Sequence, residues 1–96
     1  MMKAIWKHGP FFGAQRMKVM GRPVSVGVQD GDLFVWTEVD RDWAFLPNTK
    51  EADAQVEWHT LMFVATGMEY DGKYIGTVHT TASDGYPYVW HCIEVE

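Results

Sequence analysis

Apolar and polar positions alternate with a period of two over most of the chain, the pattern of half-buried strands. Val24, Val26 and Val28 alternate with Ser25 and Gly27, and Arg22-Pro23 suits the entry to a strand. Asp30-Gly31 then predicts a tight hairpin, because both residues tolerate the positive φ such a turn needs. The return strand over 33–39 puts Leu33, Val35, Thr37 and Val39 on one face and Phe34, Trp36 and Glu38 on the other. Bulky groups on both faces predict cover on both sides at its start.

Further strands are predicted over 56–66, 73–80 and 88–95. In the first, Trp58, Thr60, Met62 and Val64 oppose His59, Leu61, Phe63 and Ala65. Gly76 lies inside the second and marks a bulge or a close backbone approach. Gly67, Asp71-Gly72 and Ser83-Asp84-Gly85 punctuate the turns. Residues 4–8 and 15–20 make two more strands, separated by Gly9-Pro10-Phe11-Phe12-Gly13. Seven short strands at such spacing predict an all-β fold, a small antiparallel sandwich or partly open barrel. Trp6, Trp36, Trp58 and Trp90 fall in four different strands and are expected to form much of the core.

The alternation fails from Asp40 to Gln55, which reads as one long polar loop. Asn48 and Glu51, three positions apart, are spaced to cap one or two helical turns there. Trp43 and Phe45 within it either pin the loop to the core or wait for a partner.

Ninety-six residues, 47% apolar and 15% aromatic, describe one small folded domain over 1–96 rather than a disordered chain. A single cysteine, Cys92, excludes an internal disulfide framework and a four-cysteine zinc site. The net charge of −5 argues against a general nucleic-acid binder. No charged-then-apolar leader opens the chain, and its longest apolar-rich run, Leu61 to Ala65, is far short of the ~20 residues that cross a bilayer. The cytoplasm is the expected compartment, and no membrane partner is expected.

Chemistry-bearing motifs are sparse. His8, His59, His79 and His91 lack zinc-type spacing. His59, His79 and His91 all sit in strands, so neighbouring strands leave their convergence open; the plainer reading is imidazoles bonded to backbone or to Thr hydroxyls. Glu38, Asp40 and Asp42 lack the glycine and closing Glu of a calcium loop. Neither Cys92 nor Ser25 nor Ser83 stands in a nucleophile elbow, and the glycines form no phosphate loop. The sequence therefore predicts no enzyme, no metal and no cofactor.

The opening Ile5-Trp6-Lys7 leads into Val26-Gly27-Val28-Gln29-Asp30-Gly31, Leu33 and Val35-Trp36, then Val39-Asp40. Phe63-Val64-Ala65-Thr66-Gly67, Tyr74-Ile75-Gly76-Thr77-Val78 and Val89-Trp90-His91-Cys92-Ile93-Glu94-Val95 follow. These turns and strand centres, over most of the chain, resemble a family of small bacteriophage and prophage proteins that forms a domain of unknown function. That pattern has a Gly-Thr-Gly-His step where this chain reads Ala65-Thr66-Gly67-Met68. The resemblance implies a phage-encoded protein of the host cytoplasm and supplies no catalytic residues.

Three readings follow. The first is a non-enzymatic protein that occupies a host macromolecule, such as a component of a defence system, through Trp43, Phe45, Asp40 and Asp42. The second is an oligomeric sponge for a small nucleotide signal, which would use Trp6, Lys7, His8, Arg16 and Lys18 at one edge. The third is a virion or assembly component built by edge-strand pairing. A thin core with unpaired sheet edges favours a homodimer over a monomer.

Overall fold

The computed structural model describes residues 3–40, 57–81 and 84–95. They form β1 (Lys3–Phe11), β2 (Met17–Met20), β3 (Arg22–Gln29), β4 (Asp32–Asp40), β5 (Trp58–Ala65), β6 (Lys73–Thr81) and β7 (Pro87–Val95). All pairings are antiparallel, in a three-stranded sheet ordered β1-β4-β3 and a four-stranded sheet ordered β2-β5-β7-β6. The predicted all-β sandwich is what forms, and among the described residues there is no helix. Asp42, Trp43, Phe45 and the Asn48–Glu51 helical turn lie outside the described residues. Asp40 ends β4 opposite Lys3, and its side chain lies outside them as well.

The hairpin between β3 and β4 is closed as its sequence predicts, with Asp30 at φ 52° and Gly31 at φ 83°. Leu33, Val35, Thr37 and Val39 are all buried on one face of β4. They meet Phe11, Val19, Leu61, Phe63, Val78 and Cys92, most of them in one apolar cluster between the sheets. Phe11 and Phe63 pack edge to face with centroids 5.2 Å apart.

Two expectations about this core need correction. β1 continues through Gly9 and Pro10, joined by a cis peptide, so Phe11 is a strand residue and a core residue rather than part of a loop. The tryptophans do not fill the interior: Trp58 and Trp6 are 48% and 40% exposed, and Trp36 and Trp90 are half-buried. Sheets that pack about 10 Å apart leave room for interdigitated Val, Leu and Phe, and the larger indoles fall at the margins.

Between β2 and β3 the chain passes from one sheet to the other at a single residue, Gly21. Gly21 is buried at φ 93°, and a Cβ there would collide with Val39 and the Glu38 carbonyl. Its N–H donates to Glu57 O (2.8 Å). The Met20 carbonyl just before it accepts from Thr37 Oγ1 (2.6 Å) and from His8 Nε2 (3.1 Å). On the far side of the sandwich β3 approaches β6, where a Cβ on Gly76 would stand 2.9 Å from Val26 Cγ2. Gly76 thus carries both features its position predicts, since the register of β6 also shifts there.

Candidate functional site

The residues proposed for a nucleotide edge are distributed over different surfaces. Strand alternation turns Trp6 and His8 toward the core side of β1 and Lys7 away from it. Lys7 Nζ donates to Gln29 Oε1 (2.9 Å) and stands 4.8 Å from the Phe34 ring centre. Arg16 is exposed between β1 and β2, and Lys18 lies on the outward face of the four-stranded sheet. Lys3 (3.2 Å) and Arg22 both pair with Glu38, and these two cations hold its carboxyl below the usual range.

The histidines separate into distinct surroundings and do not converge. His8 is half-buried, and burial lowers its pKa although the bond to the Met20 carbonyl opposes this. His59 donates Nδ1–H to Glu94 Oε2 (2.6 Å), with Glu57 Oε2 3.5 Å from its other nitrogen. His79 is exposed on β6. Among the described residues no group of three His, Cys, Asp or Glu is placed to hold a metal ion. Cys92 is buried, and burial followed by the charge of Glu94 pushes its thiol up to about 12.

The densest side-chain chemistry lies around His91. Its Nδ1 is hydrogen-bonded to Thr77 Oγ1 (2.9 Å) and its Nε2 to Thr66 Oγ1 (2.8 Å). Thr77 Oγ1 is bonded in turn to Tyr74 OH (2.5 Å), and the Tyr74 and His91 rings are tilted with centroids 6.5 Å apart. The backbone explains how these residues meet. His91 stands opposite Thr77 on β6 and opposite Val64 on β5, so the three share the face turned away from the other sheet. Thr66 is two residues beyond Val64 and opens a turn in which Met68 N–H donates to Ala65 O (3.1 Å).

Tyr74 and Thr77 are three apart, and in a regular strand they would point to opposite faces. The register prevents this: Tyr74 pairs with Ile93 and Gly76 with Cys92, so Ile75 is an extra residue in β6. Ile75 packs against the core between the sheets, while Tyr74 and Thr77 return to the outward face together.

The result is a line of four groups, Tyr74, Thr77, His91 and Thr66, each able to donate and to accept. Its ends are exposed and its middle is half-buried. A neutral imidazole donates from one nitrogen and accepts at the other, so the proton sense can run either way along the line. Next to it, Val64, Ile93 and Val95 form a second, smaller buried cluster with Met62. By register this cluster is on the outward face too.

Sequence reading did not single out Thr66, Tyr74 or Thr77. The one signal was Gly76, whose bulge reverses the phase of β6. Compared with protein-family models, curated proteins and solved structures, the chain matches none.

Proposed function

We propose that this chain is a non-enzymatic binding protein that occupies a macromolecule of the cell in which a phage replicates, acting in the cytoplasm. The phage setting rests on the resemblance of the strand and turn motifs alone. The binding role rests on one observation about the surface. Among the described residues ten large apolar side chains are exposed, against twelve apolar side chains buried in the core. Seven of the ten are aromatic: Trp6, Phe12, Trp58, Tyr70, Tyr74, Tyr86 and Tyr88. Single exposed apolar residues are ordinary, but aromatic side chains are enriched where proteins bind partners.

Tyr86 and Tyr88 form the most accessible pair, with ring centroids 6.3 Å apart and exposures of 66% and 44%. The test is native mass spectrometry of the tagged chain recovered gently from bacterial host lysate, compared with a Tyr86→Ala/Tyr88→Ala variant. A co-purifying macromolecule that the variant loses, at unchanged melting temperature, supports the reading. A clean mass with nothing attached overturns it.

A further inference from the structure

We propose that the free edge of β1 is the interface of a homodimer, in which β1 pairs antiparallel with β1 of a second copy around a two-fold axis at Trp6. The inference stands apart from the macromolecule-binding reading and does not rest on it. It begins with the hydrogen-bond parity of the three-stranded sheet. Asp30-Gly31 closes a two-residue hairpin, so Gln29 and Asp32 form a fully hydrogen-bonded pair. Strict alternation along β4 then directs the N–H and C=O groups of Leu33, Val35, Thr37 and Val39 toward β1. Their partners there are Phe11, His8, Trp6 and Ala4. Lys3, Ile5 and Lys7 therefore turn their backbone groups away from β4, and among the described residues no strand pairs with them on that side.

The other sheet edges are shorter or occupied. β2 has four residues, and β3 and β6 approach each other where Val26 meets Gly76. Native sheets blunt a long free edge with Pro, a bulge or charged side chains, lysine above all. β1 is regular from Lys3 to His8, and its proline, Pro10, comes after that stretch. Its two lysines lean back over their own sheet. Lys3 Nζ pairs with Glu38 on β4 at 3.2 Å, and Lys7 Nζ reaches Gln29 on β3 at 2.9 Å with the Phe34 ring centre 4.8 Å away. What the edge presents instead is apolar: Ile5 is 58% exposed on the outward face and Trp6 is 40% exposed on the core face.

Parity and charge then select the register. The free groups of Lys3, Ile5 and Lys7 meet their counterparts only if the axis passes through a residue position: Ala4, Ile5, Trp6 or Lys7. An axis at Ile5 sets Lys3 opposite Lys7 twice, and an axis at Lys7 sets that residue opposite itself; like charges directly opposite destabilise a sheet. An axis at Ala4 pairs only Lys3 to Ile5 among the described residues. An axis at Trp6 pairs Lys3 through Gly9 and sets Lys7 opposite Ile5 of the other copy, with no charge facing a charge. It also brings the two Trp6 residues together as a non-hydrogen-bonded pair, with Cα atoms about 4.5 Å apart, and aromatic pairs of this kind stabilise a sheet. The product is one six-stranded sheet ordered β3-β4-β1-β1-β4-β3.

Sedimentation velocity of the full chain across the micromolar range tests the proposal, and a species of twice the chain mass is expected. Ile5→Pro removes an N–H that points away from β4, a position where edge strands tolerate proline, and should leave a monomer. Ile5→Lys keeps the backbone donor, substitutes an exposed side chain and faces Lys7 of the other copy with a like charge. It should raise the dimer Kd about tenfold or more. Circular dichroism checks that both variants are folded.

Trp6→Cys reads the register. It places two thiols directly opposite each other within disulfide reach, so mild oxidation should give a covalent dimer, whereas Ile5→Cys, facing Lys7, should give almost none. Cys92 is buried and takes no part. A chain that stays monomeric overturns the proposal, as does a dimer that folded Ile5→Lys leaves intact. Cross-linking through Ile5→Cys in place of Trp6→Cys overturns the register. A dimer that captures nothing from lysate upholds this interface and sinks the reading of the preceding section, and a monomer that captures a macromolecule does the reverse.

Discussion

Thr37 Oγ1 donates to the Met20 carbonyl at 2.6 Å, a bond that ties the centre of one sheet to the end of a strand in the other. Thr37 is fully buried, so water is not at hand to replace it. Thr37→Val keeps the shape and removes the donor. The Met20 carbonyl keeps His8 Nε2 as a donor, so the loss is that of one net hydrogen bond, about 0.5–1.5 kcal/mol. For a domain of this size that lowers the melting temperature by roughly 4–8 °C per kcal/mol. Thermal unfolding followed by circular dichroism checks it, and Thr37→Ser should recover most of the loss. Equal melting temperatures for wild type and Thr37→Val would mean that the bond contributes nothing.

His8 makes stability depend on pH. Burial lowers its pKa from the ordinary 6.5, so the folded state binds its proton less readily than the unfolded chain. The stabilisation is therefore complete above about 6.5 and is lost as pH falls through the lower folded value. Glu38, held down by Lys3 and Arg22, acts in the same direction at more acidic pH. Urea midpoints at about pH 7.5 and about pH 5.5 should differ, with the lower stability in acid. His8→Gln should flatten the difference. An unchanged slope in that variant would assign the acid sensitivity to other groups.

Gly76→Ala tests the contact between the sheet edges. The new Cβ would stand 2.9 Å from Val26 Cγ2, on a short, stiff side chain with little freedom to move aside. Overpacking of this kind costs about 1–3 kcal/mol. Val26→Ala in the same chain should return part of the loss, which a double-mutant cycle measures directly. Additive effects would place the clash elsewhere.

Cys92 should be chemically silent in the native protein. Its thiol is buried and pushed up to about 12, so almost no thiolate is present near neutral pH. Ellman's reagent should react with one thiol per chain in guanidinium and with almost none without it. Fast native labelling would show that β7 opens readily.

The alternation in the sequence defines most of this architecture, because a strand with one wet face must segregate its side chains by parity. Leu33, Val35, Thr37 and Val39 are buried for that reason, and Asp30-Gly31 closes its hairpin through local backbone preference. Parity misleads wherever one residue is inserted. The register shift between Pro23 and Ser25 leaves Val24 48% exposed despite its match to Val26 and Val28. The shift at Ile75 moves Tyr74 to the face of Thr77.

The line through His91 was hidden for a related reason: it joins β5, β6 and β7 through long-range register, which no local pattern encodes. The plain expectation that His59, His79 and His91 bond Thr hydroxyls or backbone holds for His91, whereas His59 is bonded to the carboxylates of Glu94 and Glu57 and His79 is exposed. Tryptophan content gave a poor guide to the core, because bulk and apolarity do not say whether a residue fits between two closely spaced sheets.

The single-residue step at Gly21 also bears on the order of assembly. The β3–β4 hairpin closes through two residues and needs only nearby chain, whereas β2 must find β5, with Met20 opposite Trp58 far along the sequence. With one glycine between β2 and β3, a hairpin already formed holds β2 at a fixed place and angle. The search for β5 then begins from an anchored end rather than from a loose one, which lowers the entropy lost on pairing. The sheet switch thereby lets a local nucleus template a distant one.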